Sequence, residues 1–296
     1  MSEPRMSHWE TLTGSVQGVN KQCNQDECAA DGRGTLEDPL VLAVADGHGS
    51  ARHARSGVGA RYAVELFTAH AREFAAMANA EGPEGPRSLS RLMHYARNVM
   101  PRRLIVAWQR RVLDHWQRQY EQNQGATEPG TESPPVMGDG RKLVLYGSTL
   151  IGTVLTPRLF AAWQLGDGEL TVIEPNGDVG RPLAPLEADF GDETESLCSR
   201  DAWDLVRVHW APIVAPDRTP RFIALSTDGL SKSFASDEGF VQFMTGLDQR
   251  LSGESAEGAR AMLPEWLAKA AQYSGDDTTL AAGRRPVQHT AADGDT

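Results

Sequence analysis

Apolar runs in this chain repeatedly stop at an acid beside glycine. Val41-Leu-Ala-Val-Ala45 runs into Asp46-Gly-His-Gly49, Trp163-Gln-Leu165 into Gly166-Asp167-Gly168, and Ile223-Ala-Leu225 into Ser226-Thr-Asp228-Gly229. A short apolar run closed by a turn reads as a buried strand, and the turn glycine lets the backbone bend sharply. Each run therefore delivers a carboxylate to a strand end, where the backbone opens.

The same reading organises the rest of the chain. Strands are predicted over 41–45, 143–146, 148–155, 159–165, 169–173, 206–210, 221–226 and 278–282, with Pro157-Arg158 and Gly166-Asp167-Gly168 as hairpin turns. Residues 52–80 carry Ala54, Val58, Tyr62 and Leu66 at four-residue spacing, which is a helical stripe. Glu81-Gly-Pro-Glu-Gly-Pro86 breaks it, a second helix follows over 88–100, and Pro101 suits the first position of a third. In that third helix Ile105, Trp108, Val112 and Trp116 share one face. Helices return over 237–251 and 255–273.

Residues 121–140 can bury little and are expected to form a mobile loop. Residues 1–12 read as an N-terminal tail and 286–296 as a polar, disordered one, leaving a single domain over 13–285. Helices inserted into, and appended to, a long antiparallel strand set imply an α+β domain.

Composition narrows the function classes. The net charge is -11, from 29 basic and 40 acidic residues, which disfavours nucleic acid as a partner because that affinity rests on neutralising phosphates. No apolar run is long enough to cross a bilayer, and Met1 to His8 has no apolar core for a signal peptide. Cys23, Cys28 and Cys198 are odd in number and lack metal-finger spacing, so they are expected to be reduced, with Cys23 and Cys28 as small packing residues. These features together predict a cytoplasmic protein.

The candidate chemistry lies in Asp26, Asp46, His48, Asp167, Asp228, Asp276 and Asp277. Carboxylates that converge without cations repel, and some are forced to stay protonated. A divalent ion removes the conflict, and all-oxygen ligation favours Mg²⁺ or Mn²⁺ over Zn²⁺. Two such ions sharing Asp46 can bridge a water, lower its pKa and clamp a phosphoryl group for in-line attack.

Six motifs then occur in a telling order: Asn24-Gln25-Asp26, Asp46-Gly47-His48-Gly49, Gly147-Ser148-Thr149, Gly166-Asp167-Gly168, Ser226-Thr227-Asp228-Gly229 and Gly275-Asp276-Asp277-Thr278-Thr279. From about Gly14 to Gly283 the chain resembles the type 2C metal-dependent protein serine/threonine phosphatases, above all their bacterial members. The resemblance implies a four-layer αββα sandwich, two antiparallel sheets flanked by helices, with the site at one end. It implies that a metal-bridging hydroxide hydrolyses phosphoserine and phosphothreonine in proteins, with two Mn²⁺ or Mg²⁺ ions and room for a third. By motif position Asp46 would bridge the two metals, and the Gly47 carbonyl, Asp228 and Asp276 would complete the ligands. Asp26 would be a further ligand or an acceptor for metal-bound water, and Asp167 would help to hold the third ion. His48 would protonate the leaving oxygen. The partners implied are phosphorylated proteins, among them a bacterial serine/threonine kinase or its substrates.

Three departures from the family pattern stand out. Gln25 replaces the usual Glu, which subtracts charge from the metal site. The usual upstream arginine for substrate phosphate is missing, and Lys21, the only basic residue of Gly14-Ser-Val-Gln-Gly-Val-Asn-Lys21, is left as the candidate for that phosphate. Asp277 stands where asparagine is common. The first two motivate an alternative reading, a degenerate module that binds phosphoproteins without turnover; another is a metal-dependent phosphoesterase for small molecules. Residues 181–204 correspond to a variable flap in relatives, and their acidity would favour basic segments around a phosphosite.

Overall fold

Leu40–Ala45 (β3) is buried at every position, on both faces of the strand. Leu40, Leu42 and Val44 point into a layer shared with Ile151, Leu155, Phe160, Leu170, Val172, Ile223 and Leu225. Val41, Ala43 and Ala45 pack instead against a layer containing Phe67, Phe74, Trp108 and Trp163. A strand covered on both sides reads as a continuous apolar run, because its two faces are alike to solvent.

The computed structural model describes residues 8–81, 86–125, 137–184, 195–252 and 256–285. Its strands are Glu10–Val16 (β1), Glu27–Asp31 (β2), β3, Leu150–Thr156 (β4), Leu159–Leu165 (β5), Glu169–Ile173 (β6), Val179–Gly180 (β7), Arg207–Pro212 (β8), Phe222–Ser226 (β9) and Thr278–Arg284 (β10). They form two antiparallel sheets, ordered β1-β10-β9-β6-β7 and β2-β3-β4-β5-β8. Helices Ser56–Glu81 (α1), Pro86–His94 (α2) and Met100–Gly125 (α3) lie on the β3 sheet. After the short helices Asp139–Val144 (α4) and Asp228–Ser231 (α5), Asp237–Leu251 (α6) and Ala256–Ser274 (α7) cover the β10 sheet. There Phe240, Met244, Leu247, Leu263 and Leu267 meet Leu12, Phe222, Ala224, Leu280 and Ala282. Each fully buried Leu or Phe contributes about 1.5–3 kcal/mol, so all three apolar layers matter to the fold. The expected α+β sandwich with helices on both outer faces is what the chain forms. Among the described residues no helix is long and apolar enough to cross a membrane.

Several local expectations need correction. Residues 10–12 are not tail: they open β1, with Trp9 and Leu12 buried. The predicted strand 143–146 is instead the end of α4 and the turn after it, a short apolar run whose period cannot distinguish the two states. Pro101 does not start a helix, because α2 continues into α3 through a wide π-type turn at Tyr95–Val99. Met100 N–H reaches back to the Tyr95 carbonyl. In that register Pro101 has no N–H for the Ala96 carbonyl, which accepts Trp163 Nε1–H at 2.8 Å instead. Residues 121–125 of the expected loop are helical, and 126–136 lie outside the described residues. So do 185–194 of the flap-like segment and the 286–296 tail. None of the three cysteines forms a disulfide; Cys28 packs against the layer between the sheets, whereas Cys23 is exposed rather than a packing residue.

One contact fixes α1 against the segment that carries the site. A Cβ on Gly59 would lie 1.9 Å from the Tyr146 carbonyl oxygen, and the Gly59 carbonyl accepts Trp108 Nε1–H at 2.9 Å. Gly59→Ala should cost about 1–3 kcal/mol by overpacking and lower Tm by several degrees. A thermal melt superimposable on that of the wild type would show that α1 does not need this close approach.

Candidate active site

The site is assembled where strands of both sheets end. After β3 the backbone of Asp46 is fastened at both atoms: its N–H donates to Thr149 Oγ1 (3.0 Å) and its carbonyl accepts the Thr149 N–H (2.9 Å). His48 N–H donates to the Gly147 carbonyl at 3.1 Å. Glycine is required at position 47, since a Cβ there would lie 2.6 Å from the Gln25 carbonyl oxygen. Asp167 occupies the turn between β5 and β6, where Gly166 has φ +101°. Asp228 follows β9 and begins α5, and Asp276-Asp277 precede β10.

These turns surround a cavity of about 530 Å³ lined by Asp46, His48, Asp167, Asp228 and Asp276, with Lys21, Arg52, His53 and Lys232 among the remaining residues. Asp26 lies against Thr227, whose Oγ1 donates to Asp26 Oδ2 at 2.8 Å. Asp26 Oδ1 and Asp228 Oδ1 are shielded from solvent and have no hydrogen-bond partner in the described structure. Lys21 Nζ lies 2.5 Å from Asp276 Oδ1, and Lys232 Nζ pairs with Asp228 Oδ2.

Charge crowding shows in the acidities. Burial, reinforced by the charges of Asp277 and Asp276, pushes Asp26 up to about 7 despite hydrogen bonds from Thr279 and Thr227. Burial also lifts Asp46 well above the usual carboxylate range, with Asp26, Asp228 and Asp276 adding repulsion. Asp167 is pushed up to about 6, first by burial and then by Asp228. His48 is lowered to about 4, chiefly by burial and next by His53, whose ring centroid is 4.8 Å away. Too many anions for the cations present, two orphaned buried carboxylate oxygens and an all-oxygen donor set together fit a hard divalent cation. Among the described residues no three His, Cys, Asp or Glu side chains already enclose one point as a ligand set.

The sequence-derived candidates Asp46, His48, Asp167, Asp228 and Asp276 meet around this cavity, with Gly47 between two of its lining residues, Asp26 bonded to Thr227 and Lys21 on Asp276. Gln25 does not aim its amide nitrogen at the cluster: Nε2 donates to Ser56 Oγ at 2.5 Å. Two participants, Lys232 and His53, escaped the sequence reading. Lys232 could have been found from its four-residue spacing to Asp228 on a helical turn. His53, whose Nδ1 lies 2.5 Å from the Val144 carbonyl, is brought beside His48 by a single tight turn, Ala51–His53, just before α1. Asp277 is buried, and its two oxygens accept the Gly18 and Gln25 N–H groups, both at 2.8 Å. An asparagine would turn an NH₂ donor toward one of those amides, which accounts for the acid at this position.

Comparison with known proteins agrees with this fold. The chain is similar in fold to a bacterial serine phosphatase, at TM-score 0.55 and 13% identity over 94% of this chain and 98% of that one. It is likewise similar to the serine/threonine phosphatase Stp1 from Staphylococcus aureus (TM-score 0.51, 12% identity, 96% and 99% covered). A third such structure is the catalytic domain of the serine/threonine protein phosphatase PstP in complex with two manganese ions (TM-score 0.50, 16% identity, 95% and 99% covered). Among curated proteins none matches the sequence closely enough to count as a relative. The sequence description of the protein phosphatase 2C family matches residues 13–268, most of the chain, and with the sandwich and its cluster of strand-end carboxylates this establishes that the chain belongs to the protein phosphatase 2C family.

Proposed function

We propose that this protein hydrolyses phosphoserine and phosphothreonine in cytoplasmic proteins, and that the reaction depends on Mn²⁺ or Mg²⁺. The observation that carries the reading is the convergence of Asp46, Asp167, Asp228 and Asp276 on one open cavity, with Asp228 Oδ1 and the neighbouring Asp26 Oδ1 buried and unpartnered. The fold it shares with the manganese-bound PstP domain supports the choice of ion. When bound, the ions supply positive charge that activates water and offsets charge on the phosphoryl oxygens.

The chain's own residues do the rest. Asp46, the Gly47 carbonyl, Asp228 and Asp276 hold the ions, with Asp167 serving a third. Asp26 accepts a proton from, or orients, the attacking water, from a buried position fixed by Thr227. His48 gives a proton to the leaving serine or threonine oxygen. At about 4 its pKa leaves it neutral at pH 7 in the free protein, and an arriving phosphate dianion favours its protonated form. Arg52 is exposed at the cavity rim and offers a planar fork for that phosphate. The natural substrates are then phosphoproteins, such as those made by a bacterial serine/threonine kinase or the kinase itself.

A second reading, phosphoprotein binding without turnover, is favoured by the neutral Gln25, whose amide is committed to Ser56, and by the engagement of Lys21 with Asp276. One assay separates them. Hydrolysis of p-nitrophenyl phosphate and phosphopeptides should vanish with EDTA and return with Mn²⁺ or Mg²⁺ but not Ca²⁺, which is larger and accepts irregular geometry. Full activity after exhaustive chelation would overturn metal dependence. Absence of turnover with every ion, alongside retained phosphopeptide binding, would establish the second reading.

A further inference from the structure

We propose that Lys21 is a resident cation of the carboxylate cluster, held on Asp276 where it competes with a divalent ion, rather than a ligand for substrate phosphate. The proposal rests on the metal-dependent reading above.

The geometry is specific. The Lys21 side chain is only 20% exposed, and Nζ lies 2.5 Å from Asp276 Oδ1. Across the ammonium stands the turn that carries His48: a Cβ on Gly49 would lie 2.8 Å from Nζ. The head group is therefore enclosed between the His48 turn and the segment that carries Asp276.

The loop that bears Lys21 cannot easily carry it elsewhere. Asn20 N–H donates to the Gly275 carbonyl at 3.2 Å, while Gly18 N–H and Gln25 N–H each donate to Asp277 at 2.8 Å. Gln17 Nε2 also donates to the Lys21 carbonyl at 2.8 Å. Positions on both sides of Lys21 are thus tied to Gly275–Asp277, and moving the ammonium away from Asp276 means either rotating the side chain into the cavity or unfastening the loop. Lys21 borders the cavity, but its ammonium is already committed to a carboxylate.

Lys232 differs in kind. Its side chain is 61% exposed, so its pairing with Asp228 is screened by water and yields readily. Lys21 is largely shielded, so displacing it requires a divalent ion to supply more interaction with Asp276 than the ammonium does. Gln25, uncharged and turned to Ser56, adds no carboxylate on that side to help the ion. The consequence is weakened metal affinity: any ion that uses Asp276 must first displace the Lys21 ammonium.

Calorimetric titration of Mn²⁺ into the metal-free, full-length protein tests this without reference to turnover. Lys21→Met should tighten Mn²⁺ binding by about tenfold or more, while Lys21→Arg should keep the wild-type isotherm. Circular dichroism checks the fold, and Lys21→Gln replaces the methionine variant if that one fails to fold. Identical isotherms for wild type and the neutral variants overturn the proposal and leave metal dependence standing. The same holds if the isotherm is unchanged but inhibition by inorganic phosphate weakens, which would make Lys21 a phosphate ligand. No Mn²⁺ binding by any of these proteins overturns the proposal and the metal-dependent reading together.

Discussion

Asp46→Asn should leave a folded protein that no longer turns over substrate. The substitution keeps the side-chain shape, and the hydrogen bonds that fix position 46 come from its backbone, to Thr149 in both directions. What it removes is a carboxylate that feels Asp26, Asp228 and Asp276, where the proposed mechanism places both ions. The expected loss in kcat/KM is about 10³-fold or more, near 4 kcal/mol of transition-state stabilisation. Because the native carboxyl is held well above its ordinary acidity by burial and like charges, the amide relieves repulsion, and the metal-free variant should melt no lower than the wild type at neutral pH. Retention of more than about a tenth of the activity, a loss under 1.4 kcal/mol, would remove Asp46 from the bridging role.

His48→Ala should divide substrates by their leaving groups. A serine alkoxide leaves poorly without a proton, so kcat on phosphopeptides should fall by about 10²- to 10⁴-fold. p-Nitrophenolate leaves unaided, and its ester should lose much less. The position suits this role: the His48 backbone is pinned to Gly147, the ring borders the cavity, and His53 packs edge-on against it at 62°. Equal losses on both substrates would mean that His48 orients water or metal, and no loss on either would leave it a bystander.

The strand ends were legible because each is punctuated. An apolar run stopped by Asp-Gly announces both a strand and the carboxylate it delivers, and Asp46, Asp167 and Asp228 are found at such places. What could not be read depended on contacts far apart in sequence. β1 carries apolar residues too sparsely to announce itself: Leu12 is buried whereas Thr13 is exposed, and its place is set by pairing with β10. The run at 143–146 fits strand and helix equally, and the choice is made by tertiary contacts, including the Leu145 carbonyl accepting Arg55 N–H at 2.8 Å. The π-type turn before Pro101 depends on a tryptophan 67 residues from the carbonyl it satisfies. Motif order pointed to a lysine near the phosphate, but only the folded loop shows its ammonium on Asp276.

The pairing of β1 with β10 also sets an order of events during synthesis. Strands β2 to β5 and helices α1 to α3 contact mainly one another, so the β3 sheet and its helical layer can begin to associate as they emerge. β1 has no hydrogen-bonded strand partner until Thr278–Arg284 is made, and the hydrogen bond between Gly18 and Asp277 spans 259 residues. Contacts of that separation carry the largest closure entropy and form late. The carboxylate cluster is therefore among the last parts of the molecule to close, and a nascent chain still short of β10 can hold a partly folded sandwich without Asp276 to complete the candidate site.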